Sequence, residues 1–163
     1  MISLAELSRE ERALYNPAFA ALVVSRAVQG HQSQYGQPCP ITIAVLSPVM
    51  AYQPSVRQRL PKTTGSGLTR WLEENQTLKI AMAQNATALA AVVRPGLLFG
   101  LQTQVLQYDD SGRLQVTAGR LTKTINGATD EIIAIQKASR MLGRWLPSTG
   151  SLSTVMTLLG VRP

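Results

Sequence analysis

Few side chains in this 163-residue chain are suited to chemistry, and they are scattered. A nucleophile needs a base close to it and a third group to orient that base. The only histidine, His31, falls late in a helical stretch among polar neighbours and has no companion motif, so it reads as a surface histidine. The only cysteine, Cys39, stands between Pro38 and Pro40. It has no basic neighbour or helix start to lower its thiol pKa, which makes it inert by expectation. The acids come in adjacent pairs: Glu10-Glu11, Glu73-Glu74, Asp109-Asp110 and Asp130-Glu131. Each pair falls at an expected helix end or in a hairpin turn, where capping and solvation account for it better than acid–base or metal chemistry. The stretches KTTGSG and RPGLLFG carry neither the phosphate-loop order nor the dinucleotide fingerprint. The expectation is a noncatalytic protein without cofactor or metal. A hydrolase built on His31 or Cys39 is the weakest alternative.

Charge offers more. The chain has 16 basic and 9 acidic residues, a net charge of +7, which attracts polyanions or an acidic protein surface. The positive potential is segmental: no acid occurs from Arg12 to Leu72, nor from Ile132 onward. Two basic groups result. Arg57, Arg59, Lys62 and Arg70 gather around a glycine-containing loop that can meet phosphates or an acidic partner. Lys137, Arg140 and Arg144 recur at spacings of three and four, hence along one helix face open to a partner. For either group a plain solvated face is the competing reading.

The elements that position these residues are mostly helical. Hydrophobic residues make up 45% of the chain and aromatic residues only 5%, so the core is built from Ala, Leu, Val and Ile. The length suits one domain spanning residues 1–163. Asn16 caps and Pro17 opens a first long helix carrying Phe19, Leu22, Val23 and Ala27, with Gly36 as a left-handed stop. Before it, Glu6 to Arg12 suits a short charged helix, docked through Leu4, Leu7 and Leu14. Residues 41–52 are apolar throughout and fit either a buried strand or a kinked helix, with Pro48 arguing against a central strand. One or two helical turns and the basic loop follow over 54–67, then a helix from Leu68 to Glu74.

Residues 76–93 read as an alanine-rich helix with Leu78, Ala81, Met82, Ala86 and Leu89 on one face. Arg94-Pro95-Gly96 is expected to break it, and Leu97 to Gln104 to form a second helix. A hairpin comes next, Leu106 and Tyr108 against Leu114 and Val116 around the turn Asp109 to Gly112. The fold expected is therefore α+β, mostly helical, with a winged-helix-like centre over about 68–117 packed against N- and C-terminal helices. The C-terminal helical segment, 129–160, starts at a Thr129 cap, carries the stripe Ile132, Ile135, Leu142 and Trp145, and ends in a short helix bearing Leu152, Val155, Met156 and Leu159. So apolar an ending should be docked, on the protein's own core or on a partner. Trp145 and Leu158 are the residues open to either use. No stretch is long enough to span a bilayer, and the lone cysteine suits a reducing cytoplasm.

A winged helix suggests DNA, but the helix placed to read bases, 95-PGLLFGLQTQ-104, has no positive charge and offers only Gln102 and Gln104. Winged helices also serve as protein docking units, and that use fits better.

The opening NPAF before an apolar helix, the central 60-LPKTTGSGLTRWL-72 and the closing GRW with LLGVRP together resemble the middle component of three-component ABC systems, in order from Asn16 to Pro163. The chain is also similar to small subunits of Lamassu-type antiphage defence systems. The resemblance implies a noncatalytic adaptor linking a coiled-coil, SMC/Rad50-like ABC ATPase to an effector such as a nuclease, with DNA met through the complex and no membrane. Pro147, directly after Trp145-Leu146, departs from the pattern where the helix should continue. The alternative is a winged-helix module that binds nucleic acid directly and nonspecifically.

Overall fold

The long second helix organises the molecule, and its start and stop are chemical. In the computed structural model, which describes residues 7–160 apart from the side chain of Leu158, Asn16 accepts a hydrogen bond from the Phe19 N–H at 2.8 Å. Pro17 takes the first position of α2 (Pro17–Tyr35), and Gly36 ends it at φ 63°. A short α1 (Arg9–Leu14) precedes it, closed by a capping box between Ser8 and Glu11. Leu4 and Glu6 lie outside the described residues. Buried residues run almost without gap along α2 from Ala20 to Val28, so it has no solvent face there and forms the centre of the core.

Three helices cover it. The ambiguous segment folds as α3 (Ile41–Ala51), a helix that retains Pro48 and buries Ile43, Ala44, Leu46, Val49 and Met50. After α4 (Pro54–Arg57) and α5 (Leu68–Glu74), α6 runs unbroken from Gln76 to Gln102. This overturns the break expected at Arg94-Pro95-Gly96 and with it the helix-turn-helix of the winged-helix-like centre. A proline and a glycine inside a helix cost about 3 and 1 kcal/mol against alanine. Tertiary packing offsets that cost: Gly96 lies against Ala20 and Ala21, Gly100 lies against Leu106, and a Cβ at either would collide. The Pro-Gly pair therefore marks a close helix crossing.

The third cover is α7 (Asp130–Trp145), capped by Thr129 and carrying Asp130 and Glu131 in its first turn. Hydrogen bonds and close approaches link residue 26 with 136, Gly30 with 140 and residue 34 with 144, so α7 follows α2 in the same direction. The approach is tight because Gly30 faces the Arg140 carbonyl and Gly143 faces that of Ala27. Strands β1 (Leu106–Tyr108) and β2 (Leu114–Val116) pair antiparallel, with Gln107 opposite Gln115. Cys39 adds a rung to β2 through two backbone hydrogen bonds with Leu114. The chain after α7 tightens into a 3₁₀ turn over Leu146–Thr149, as Pro147 requires, and ends in α8 (Leu152–Leu159). Val155 and Leu159 of α8 join the common core. The result is a mostly helical α+β fold with one two-stranded hairpin.

Candidate functional site

The two groups with nucleophilic or acid–base character are built into the core. His31 is 4% exposed, which corrects its reading as a surface residue. The end of α2 is roofed by the turn at 36–39, so the ring packs 4.8 Å from that of Tyr35 and its Nδ1 lies 3.2 Å from the Gln37 carbonyl. Burial lowers its pKa, the Gln37 carbonyl opposes that shift, and the Arg113 charge adds to it. Cys39 is fully buried, and burial pushes its thiol up to about 12, so it stays protonated. Among the described residues no three His, Cys, Asp or Glu side chains come together as a metal site.

The basic loop is braced from beneath by two tryptophans. Trp71 Nε1 donates to the Arg59 carbonyl at 2.6 Å, and Trp145 Nε1 donates to that of Ser66. Their rings meet edge to face at 5.6 Å. Trp145 is therefore fully buried within the chain and has no surface left for a partner, the opposite of one use expected for it. The apolar ending docks on the chain's own core through Val155 and Leu159. The side chain of Leu158 lies outside the described residues.

The four cations of the first basic group differ in pairing and exposure. Arg57 reaches Glu131 at 3.1 Å and donates to the Ala51 carbonyl at 2.8 Å, leaving its side chain 12% exposed. Arg70 pairs with Glu74 one helical turn on. Arg59 donates to Asn75 Oδ1, and Lys62 is exposed. In the second group Lys137 and Arg144 are exposed, Arg140 is half-buried, and none has a carboxylate in ion-pair reach among the described residues.

Two features escaped the sequence reading. Arg26, 3% exposed in the middle of α2, donates to Gln136 Oε1, to Gln29 Oε1 and to the carbonyls of Thr122 and Thr124. Its signal was an arginine inside an otherwise apolar run. The second is the outer face of α6, where Ile80, Leu98 and Phe99 are exposed. Beside Ile80, α5, α6 and the end of α8 enclose an open groove of about 790 Å³ lined by Leu72, Ala83 and Leu159 together with Glu73 and Lys79. No described helix is long and apolar enough to cross a membrane.

Fold and surfaces define a small, mostly helical protein whose polar side chains brace its own loops and whose longest described helix exposes Ile80 near its start and Leu98 and Phe99 near its end. Residues 4–163 match the family model described as ABC-three component (ABC-3C) system Middle Component 3. The chain belongs to that family, and is thus a component of such a system. No curated protein matches it, and no solved structure does.

Proposed function

We propose that this chain is a noncatalytic adaptor in a prokaryotic antiphage or conflict complex of Lamassu-like type. It links a coiled-coil, SMC/Rad50-like ABC ATPase to an effector such as a nuclease, in the cytoplasm. ATP hydrolysis and DNA cutting belong to the other components, and this subunit positions or restrains the effector.

The observation that carries the reading is the outer face of α6. A helix of this length on a small protein normally turns polar groups to water. Here Lys79 and Arg94 are the only charges between Gln76 and Gln102, and Ile80 at one end and Leu98 with Phe99 at the other remain uncovered, with Gln84, Asn85 and Thr87 exposed between them. Uncovered apolar surface of this kind supports docking to a protein partner. Membership of a three-component family supports the existence of such partners.

The test is co-expression of the tagged chain with the other two components, followed by purification and mass spectrometry. A large coiled-coil ATPase recovered in fixed ratio is the expected result. Ile80→Glu with Leu98→Glu should lower that recovery at least tenfold while leaving the thermal melt of the isolated chain within a few degrees. Recovery of nucleic acid without the ATPase would sink the adaptor reading.

A further inference from the structure

The connection from Thr117 to Thr129, unremarkable in the sequence, lies along the second basic group. Four side chains hold it there. Arg26 and Gln29 donate to the Thr122 carbonyl, Gln136 donates to that of Asn126 at 2.9 Å, and Arg140 donates to that of Lys123 at 2.7 Å. The segment is thereby tied to both α2 and α7. It brings the backbone of Lys123 against Arg140, with Arg120 three residues earlier on the same connection and Lys137 and Arg144 one turn to either side of Arg140 on α7.

The charge balance of this face is one-sided. Residues 111–129 and 132–160 contain no Asp or Glu. The acids nearest along α7 are Asp130 and Glu131 in its first turn, and Glu131 is turned to Arg57. Arg26 beneath the face has only uncharged acceptors among its hydrogen-bond partners, so its charge adds to the field instead of being cancelled. Along α7 the three cations span about 10 Å, the reach of about three phosphates of one strand.

Charge alone does not separate phosphate from an acidic protein, but the uncharged neighbours do. Protein interfaces need an apolar centre to exclude water. The exposed large apolar residues, Ile41, Ile80, Leu98, Phe99 and Tyr108, belong to α3, α6 and β1. The fully exposed neighbours on the connection and α2 include hydroxyl and amide groups, Thr122, Thr124, Gln34 and Asn126, with Leu121 and Ile125 half-buried between them. Such groups hydrogen-bond phosphate and sugar without reading sequence.

We propose that Arg120, Lys123, Lys137, Arg140 and Arg144 form a nucleic-acid backbone contact face, by which this subunit itself touches duplex DNA without sequence preference. The face is separate from the α6 surface of the adaptor reading, and the two stand or fall independently.

The test is fluorescence anisotropy of the full chain with a short labelled duplex of random sequence over a range of KCl concentrations. Wild-type log Kd should rise linearly with log salt. The triple variant Lys123→Glu, Lys137→Glu, Arg144→Glu should bind at least about tenfold more weakly, with a salt slope smaller by about 3. Arg59→Glu with Lys62→Glu should stay within about twofold of wild type. The proposal is overturned by no duplex binding by wild type at the lowest salt, by an unchanged triple variant, or by an equal loss in the loop variant. Displacement of the duplex by polyglutamate at equal charge concentration would overturn it in favour of an acidic protein partner. If the triple variant fails to melt cooperatively, Lys137→Glu alone carries the test, with a slope smaller by about 1.

Discussion

The chain carries two basic groups of similar size, and the fold treats them in opposite ways. Around the loop at 58–67, Arg57 and Arg70 are neutralised by Glu131 and Glu74, Arg59 leans on Asn75, and two indole N–H groups hold the backbone. Along α7, Arg140 meets the Lys123 carbonyl and Arg144 the Gln34 amide, and no carboxylate among the described residues reaches the cations of α7 or the 117–129 connection. Both groups look alike as strings of Arg and Lys. They differ because carboxylates distant in sequence fold against one and away from the other. Glu131 is 74 residues from Arg57. A count of charges therefore says little about surface potential until each is assigned its neighbour.

The comparison can be broken most forcefully at Trp145. It is fully buried, holds Ser66 and meets Trp71 edge to face. Trp145→Ala should cost about 3–5 kcal/mol, as removal of a large core aromatic does. Chemical denaturation would measure this, and proteolysis within 58–67 should accelerate in the same variant. A loss below about 1 kcal/mol would mean that the loop does not depend on the indole.

A smaller effect separates the two ion pairs. Arg57→Ala removes a largely buried guanidinium and its hydrogen bonds to Ala51 and Glu131, and should destabilise by about 1–3 kcal/mol. Arg70→Ala breaks an exposed pair between neighbouring turns and should stay within about 0.5 kcal/mol. Equal losses in the two melts would contradict the assignment of Arg57 to the fold and Arg70 to the surface.

The smallest effect is titration of the buried His31 near the end of α2. Its folded pKa lies below its unfolded value because burial disfavours the imidazolium. The unfolded chain then binds the extra proton first. The stabilisation is complete above the ordinary histidine pKa and is lost as pH falls toward the folded value. Melting temperature should drop between pH 7.5 and 5 by more in wild type than in His31→Gln. Identical profiles would show that His31 is not held neutral.

Local signals were read correctly where local chemistry decides. Asn16, Pro17 and Gly36 delimit α2, Thr129 opens α7, and the alternation around Asp109 to Gly112 gives the hairpin. Sequence reading failed where one local preference was outweighed by distant contacts. Pro95-Gly96 signals a break, yet the glycine is the point where α6 crosses α2. His31 and Arg26 are polar residues that a linear reading sends to the surface. For Arg26 the partners Thr122, Thr124 and Gln136 are distant in sequence, whereas His31 meets the carbonyl of Gln37, six residues on in the turn after α2.

The sequence by itself determined the family, the helical and hairpin content, the positive charge and the scarcity of groups able to do chemistry. Those follow from residue type and near-neighbour spacing, which act over one or two turns. Only the tertiary structure decided that Trp145 faces inward, that α6 is one helix, and that the 117–129 connection joins the α7 cations in one face. Each of these depends on which distant group desolvates or pairs with a side chain, and burial and Coulomb energies are properties of position in space, not of order along the chain.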